Sequence, residues 1–148
     1  MTALHLAKPD DLERLLPLVA AFHAEEGIET TEEFRRAALL PLLSGSPHGA
    51  AYLIGPARAP IGYLVICFGW SVEFGGLDGI LDEIYLRPKV RGRGIAAEVL
   101  HALPKALAGG GLRALHLEVN RGNERVQRLY TRAGFTPRSD YMLMSKRL

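Results

Sequence analysis

A basic, glycine-rich segment, Arg87-Pro88-Lys89-Val90-Arg91-Gly92-Arg93-Gly94, stands between a strand pattern and a helix pattern. Apolar residues surround it: residues 80–86 suit a strand, and Ile95, Val99 and Leu103 recur at helical spacing. Glycines let the backbone approach a ligand closely, and the first N–H groups of a helix have no partner within it. Together with the four basic side chains, this segment predicts a phosphate site at the start of the helix.

Two common phosphate-binding folds fit this segment poorly. A P-loop is excluded because no Gly-Lys-Ser/Thr follows the turn. Gly92-x-Gly94-x-x-Ala97 matches a dinucleotide fingerprint, and Glu118 lies near the spacing of its ribose-binding acid. However, residues 87–91 separate the strand from the first glycine, and only about fifty residues follow the turn. A plain glycine turn with solvated arginines is the remaining structural alternative.

The order of the elements predicts a mixed α/β sheet. With 148 residues, of which 48% are hydrophobic, the chain suits one domain, residues 1–148. The predicted order is β-α-α-β-β-β-α-β-α-β. The predicted elements are a strand over 3–7, a helix from Pro9, a helix with a Thr30-x-x-Glu33 capping box, strands over 50–54, 61–74 and 80–86, a helix over 95–107, a strand over 114–119, a helix over 123–133 and one or two closing strands within 135–148. We expect Pro41 to end or bend the second helix, Pro104 to kink or shorten the third, and Gly76 and Gly79 to precede a strand.

Charge is distributed unevenly along the chain. Residues 1–86 carry five Lys/Arg and twelve Asp/Glu, a net charge of −7, and residues 87–148 carry thirteen and four, a net charge of +9. The asymmetry favours an anionic ligand for the second half and a cationic one for the first. A solvated surface with many ion pairs would explain the same uneven charge.

Other classes of function are disfavoured. No apolar run approaches the ~20 residues that cross a bilayer, and Cys67 is the single cysteine. The histidines share no metal-ligand spacing, so we expect no metal. The arginines of the last helix have no aromatic platform beside them, so we expect no nucleic-acid partner. We expect a cytoplasmic protein without a membrane partner, either a monomer or a homodimer.

Three segments together resemble the GNAT N-acetyltransferase superfamily. Arg91-Gly92-Arg93-Gly94-Ile95-Ala96 is similar to the family's acyl-CoA motif, with Ala96 where many members have glycine. Residues 81–88 resemble the fourth strand and its exit. Asn123-x-x-Val126-x-x-Leu129-Tyr130-x-x-x-Gly134-Phe135 is similar to the last helix. The order and spacing of all three agree with the family, specifically over residues 61–137.

The resemblance implies acetyl-CoA as the acetyl donor and a fold whose fourth and fifth strands splay apart. The pantetheine arm would lie in that gap against backbone groups of the fourth strand, and the pyrophosphate on the glycine turn. Asn123 would hold the arm near the last helix. The implied acetyl-CoA-binding residues are Ile84, Tyr85, Leu86, Arg91, Gly92, Arg93, Gly94, Ile95, Ala96, Ala97 and Asn123.

The implied chemistry needs a base for the amine and an acid for the departing thiolate. Asp82 and Glu83 are the candidate bases, and strand alternation predicts that they point to opposite faces, with Glu83 favoured. Tyr130 aligns with the family's general-acid tyrosine, although it also fits a core stripe. Candidate acceptor-binding residues are Glu25, Glu26, His116 and Glu118.

The acidic strand resembles the polyamine and thialysine acetyltransferase branch, which implies a small cationic amine as acceptor. A protein N-terminal or lysine acetyltransferase is the main alternative. A non-catalytic acyl-CoA-binding module is the alternative from a different class.

Overall fold

The computed structural model describes residues 2–148, which form two compact units. The larger ends at Glu118 and the smaller is Val119–Leu148. The larger unit contains β1 (Leu4–Leu6), α1 (Leu12–Glu25), α2 (Glu32–Leu43), β2 (Gly49–Ile54), β3 (Gly62–Ser71), β4 (Gly76–Leu86), α3 (Ile95–Ala108) and β5 (Ala114–Leu117). The smaller unit contains α4 (Glu124–Arg132). In the larger unit, short 3-10 turns also cover Pro9–Asp11 and Pro88–Val90. Among residues 2–148, no helix has the length and apolar character to cross a bilayer.

The strands form one mixed sheet in the order β1-β2-β3-β4-β5. The first four strands pair antiparallel, and β5 lies parallel to β4. Pairing between β4 and β5 ends at Leu81 and Leu117, whereas β4 continues to Leu86. The predicted mixed α/β architecture is confirmed, and β4 and β5 part where the resemblance implies that they should.

Helices α1 and α2 cover one face of the sheet. The apolar stripe of α1 packs together with Leu53, Tyr63, Val65 and Tyr85 of the strands. This stripe consists of Leu12, Leu15, Leu16, Val19 and the partly buried Phe22. Each fully buried leucine or valine of this cluster contributes about 1.5–3 kcal/mol by leaving water. The buried residues of α3 lie outside this cluster, which indicates that α3 covers the other face.

Several predicted boundaries are wrong. β4 begins at Gly76 and includes Gly79, because the β3–β4 hairpin stays paired to its tip. α2 does not end at Pro41 but continues to Leu43, and α3 is not shortened at Pro104 but continues to Ala108. In α3 the burial of Val99, Leu100 and Leu103 offsets the hydrogen bond that proline cannot donate.

The cap of α2 differs from the predicted capping box. Its N-cap is Thr31, whose hydroxyl accepts from the Phe34 N–H at 3.1 Å. Thr30 is one residue too early because its hydroxyl is bonded to His23 and Arg35. This difference places Thr30 in the candidate site.

The predicted closing strand is absent from residues 135–148, all of which the structure describes. The alternating residues Tyr141, Met142, Leu143 and Met144 are 69–82% exposed. An alternating pattern forms a strand only where another strand pairs with it.

Candidate active site

A β-bulge interrupts β4 at the acid pair. Val65 of β3 faces Glu83 and Ile66 faces Leu81, so Asp82 is the extra residue. The predicted opposite faces for Asp82 and Glu83 depend on unbroken alternation, which fails here. Both carboxylates raise the pKa of Tyr63, behind the larger effect of its burial. The two acids therefore act on the same buried neighbour.

The carboxylate of Glu83 is held from two elements. The Tyr63 hydroxyl donates to Oε1 at 2.8 Å, and His23 Nε2 of α1 lies 2.8 Å from Oε2. Tyr63 reaches Glu83 because its strand partner is Tyr85, two residues further along the same face. Burial keeps the pKa of Tyr63 far above its usual value, so this hydroxyl remains a hydrogen-bond donor.

The polar contacts continue from His23 to an open cavity. His23 Nδ1 lies 2.9 Å from Thr30 Oγ1, which also accepts from Arg35 Nη1 at 2.9 Å. The cavity measures about 520 Å³ and is lined by α1, the following loop and the start of α2, with His23, Glu29, Thr30 and Arg35 supplying polar groups. His23 thus connects this cavity to Glu83.

Asp82 belongs to a group of three acids. Desolvation raises the pKa of its carboxyl, with further increases from the negative charges of Glu83 and Glu118, while His23 opposes them. Such a concentration of negative charge favours a cation. Partial burial raises the pKa of the Cys67 thiol, and Asp82 and Glu83 raise it further, so this cysteine is not an activated nucleophile.

The glycine turn leaves open space at the start of α3. Gly92 and Gly94 have φ values of +78° and +79°, and a Cβ at either would meet no described atom within 4 Å. Gly94 is the N-cap, so the N–H groups of Ile95, Ala96 and Ala97 belong to the first helical turn. This is the geometry of an anion site at a helix N-terminus.

The Arg91 side chain is held beside this turn by two hydrogen bonds and a cation–π contact. Its Nη2 donates to Glu25 at 2.8 Å, its Nε donates to the Leu86 carbonyl at 2.9 Å, and its guanidinium stands over the Tyr85 ring. The hydrogen bond that Arg91 donates to Glu25 raises the pKa of Arg91. Glu25, which the sequence predicts to bind the acceptor amine, therefore forms an ion pair with Arg91 at the turn. Arg93 is exposed.

The end of β4 offers backbone groups for a ligand. Beyond Leu81, no strand of residues 2–148 pairs with β4 on the β5 side. Ile84 and Leu86 are half-buried, whereas the Tyr85 side chain belongs to the core. Only the backbone of Tyr85 suits the expected role.

The other residues that the sequence predicts to bind the acceptor amine lie in three different surroundings. His116 Nε2 is 3.3 Å from the Asp78 carboxylate, and its ring meets the Phe74 ring at a centroid distance of 5.1 Å. The structure thus joins His116 to Asp78 and Phe74 and joins Glu118 to the acid group. Glu26 is the C-cap of α1.

The smaller unit contains the two candidates of the last helix. The Asn123 side chain accepts from the Val126 N–H at 3.2 Å and caps α4. The Tyr130 ring packs edge-on against Phe135 at a centroid distance of 6.0 Å. Among residues 2–148, no group of three or more His, Cys, Asp or Glu suits a metal ion.

Sequence reasoning missed His23, Thr30, Arg35 and Tyr63. The available signal is His23 itself, a titratable residue that directly follows Phe22 on the apolar stripe of α1. Nothing in the sequence pairs it with Glu83, which lies sixty positions later.

The model of the acetyltransferase (GNAT) family matches residues 14–135. The chain belongs to this family. An uncharacterized N-acetyltransferase of Mycobacterium tuberculosis is 33% identical over 90 residues, which cover 58% of each protein. The chain thus spans less than two thirds of the curated relatives that it matches first. At the level of the family, the prediction of an acetyltransferase is confirmed.

Solved structures share the GNAT fold. An integron cassette protein from the mobile metagenome of Cole Harbour Salt Marsh has a TM-score of 0.83 and 31% identity, over 98% of this chain and 90% of that one. An aminoglycoside N-acetyltransferase in complex with CoA has a TM-score of 0.82 and 17% identity, over 100% and 96%. At that identity the second likeness shows the fold alone.

Proposed function

We propose that this GNAT protein transfers an acetyl group from acetyl-CoA directly to a primary amine of a small cationic molecule. The observation that carries the proposal is the end of β4. There the strand loses its β5 partner, bulges at an acid pair and leads into the open glycine turn. These features suit an acetyl donor with an extended arm that pairs with β4 like a strand and a phosphate group that binds at the glycine turn.

Acetyl-CoA is assigned to β4 and the turn. Its pantetheine arm pairs with backbone groups of Ile84, Tyr85 and Leu86, and its pyrophosphate lies on the first turn of α3. The open space at Gly92 and Gly94 supports this assignment. The related fold of an aminoglycoside N-acetyltransferase was solved with CoA bound, which agrees with it.

The amine must lose a proton before it attacks the thioester. An alkyl ammonium with a pKa of about 10.4 is only about one part in 2,500 neutral at pH 7. We assign Glu83 as the base that accepts this proton and Asp82 as a second carboxylate that attracts the ammonium. After attack, the acetyl carbon–sulfur bond breaks, and Tyr130 is assigned to protonate the thiolate of CoA.

The acid group supports a cationic acceptor. Asp82, Glu83 and Glu118 lie close enough together to raise the pKa of Asp82. An ammonium bound there gains a charged hydrogen bond of about 1.5–3 kcal/mol. An anionic acceptor would meet repulsion instead.

A panel of amines with acetyl-CoA tests the proposal by the release of free thiol. Spermidine and 1,4-diaminobutane are the cationic members, and glycine, glutamate and an acidic peptide are the neutral and anionic ones. We expect the highest kcat/KM for the cationic amines. Faster turnover of anionic acceptors or peptides would favour protein acetylation, and binding without turnover would favour an acyl-CoA-binding module.

Glu83→Gln tests the base in the same assay. The change keeps the size of the side chain and removes its charge. We expect a higher KM for the amine, a lower kcat at pH 7 and partial recovery as pH rises and free amine accumulates. An unchanged pH–rate profile in both Glu83→Gln and Asp82→Asn would contradict the assignment.

A further inference from the structure

The partners of His23 determine which atom donates in each hydrogen bond of its imidazole ring. Arg35 only donates, so Thr30 Oγ1 accepts from it and retains its own hydrogen for His23 Nδ1. An ionised Glu83 only accepts, so the hydrogen of a neutral imidazole lies on Nε2. These contacts satisfy both ring nitrogens.

This arrangement is largely shielded from solvent. The side chains of His23 and Glu83 are 13% and 18% exposed, and Tyr63 is fully buried. The two oxygens of Glu83 are therefore held from α1 and from β3 at once. A carboxylate fixed in this way cannot rotate freely, whereas most exposed glutamates sample several rotamers.

We infer that His23 is a positioning residue for Glu83. Its Nε2–H holds the carboxylate in the orientation that receives the proton of the acceptor amine, and Thr30 fixes the imidazole ring from the cavity side. The inference rests on the proposed function, in which Glu83 is the base. Misplacement by about 1 Å costs up to about 100-fold in rate, so the positioning contributes directly to kcat.

Two amide substitutions separate the contacts of His23. His23→Gln places an amide nitrogen near the position of Nε2 and keeps a donor for Glu83. His23→Asn places its amide oxygen near Nδ1, where it accepts from Thr30, so that contact is kept and the one with Glu83 is lost. His101→Asn, at an exposed position of α3, is the matched control. All variants are assayed with the most active amine of the panel above.

We expect His23→Asn to lower kcat by about 10- to 100-fold with an unchanged Kd for acetyl-CoA. His23→Gln should retain most of kcat. A merely structural role would instead lower the melting temperature of both variants and leave their kcat equal. Equal kcat in His23→Gln and His23→Asn overturns the inference.

A double-mutant cycle with Glu83→Gln separates this inference from the proposed function. We expect His23→Asn to have no further effect on kcat once Glu83 is Gln. Additive losses overturn the positioning role, whereas a wild-type kcat in Glu83→Gln alone overturns the assignment of the base. If His23→Asn does not fold, Thr30→Val replaces it: a lower kcat with unchanged acetyl-CoA affinity supports the inference, and an unchanged kcat overturns it.

Discussion

Substitution of Gly94 by alanine tests the phosphate site at its most defined position. Gly94 caps α3 with a φ of +79°, and its missing Cβ would point into open space. The methyl group therefore meets no protein atom, but it occupies the volume assigned to the pyrophosphate. Gly45→Ala is the matched control, since Gly45 has a φ of +94° and the same open surroundings.

The two variants should lose similar stability. An L-residue in the left-handed region costs about 1–2 kcal/mol. For a chain of this size, that corresponds to a decrease of about 2–8 °C in melting temperature. Both proteins should remain folded, because domains have about 5–15 kcal/mol of stability.

Only Gly94→Ala should lose affinity for acetyl-CoA. Displacement of the pyrophosphate from one charged hydrogen bond costs about 1.5–3 kcal/mol, which raises Kd by about 10- to 150-fold. Isothermal titration calorimetry at one salt concentration measures both variants against wild type. A folded Gly94→Ala protein with wild-type Kd, or an equal loss in Gly45→Ala, would refute the assignment of the turn.

Two further outcomes concern Tyr130 and Asp82. Tyr130→Phe should lower kcat by about 100-fold or more with acetyl-CoA affinity unchanged, and a wild-type kcat would make Tyr130 a packing residue only. The pKa of Asp82 is raised in the folded state, so its ionised form destabilises the fold increasingly as pH rises above the ordinary carboxyl range through that raised value. Asp82→Asn should therefore increase the free energy of unfolding at pH 7 and leave it nearly unchanged at pH 3. Urea unfolding at the two pH values measures this, and an equal change at both would contradict the raised pKa of this carboxyl.

The features that could be predicted from the sequence are those that depend only on neighbouring residues. The glycine turn is one of them, because positive φ at Gly92 and Gly94 and unpaired N–H groups at a helix start depend on neighbouring residues alone. The stripe of α1 and the cap of α4 at Asn123 are local in the same sense. The motif spacings also sufficed for the family, which the match over residues 14–135 confirmed.

Other sequence predictions failed where a distant contact decides the outcome. The Thr30-x-x-Glu33 pattern predicts a cap at Thr30, but the Thr30 hydroxyl is bonded to His23 and Arg35, so Thr31 is the cap. Alternation of residues 141–144 predicted a strand, yet these side chains are exposed. Neither propensity nor periodicity contains information about a partner from another part of the chain.

The sequence alone determined the turn, the acid pair and the charge asymmetry around them. Only the tertiary structure decided what surrounds Glu83. The β3–β4 register places Tyr63 beside its carboxylate, and the packing of α1 on the sheet brings His23 to within 2.8 Å. The bulge at Asp82 likewise depends on how two strands align, and a shift by one residue would move each side chain to the opposite face. Register and helix packing are set by burial of the whole apolar face, so no short segment encodes them.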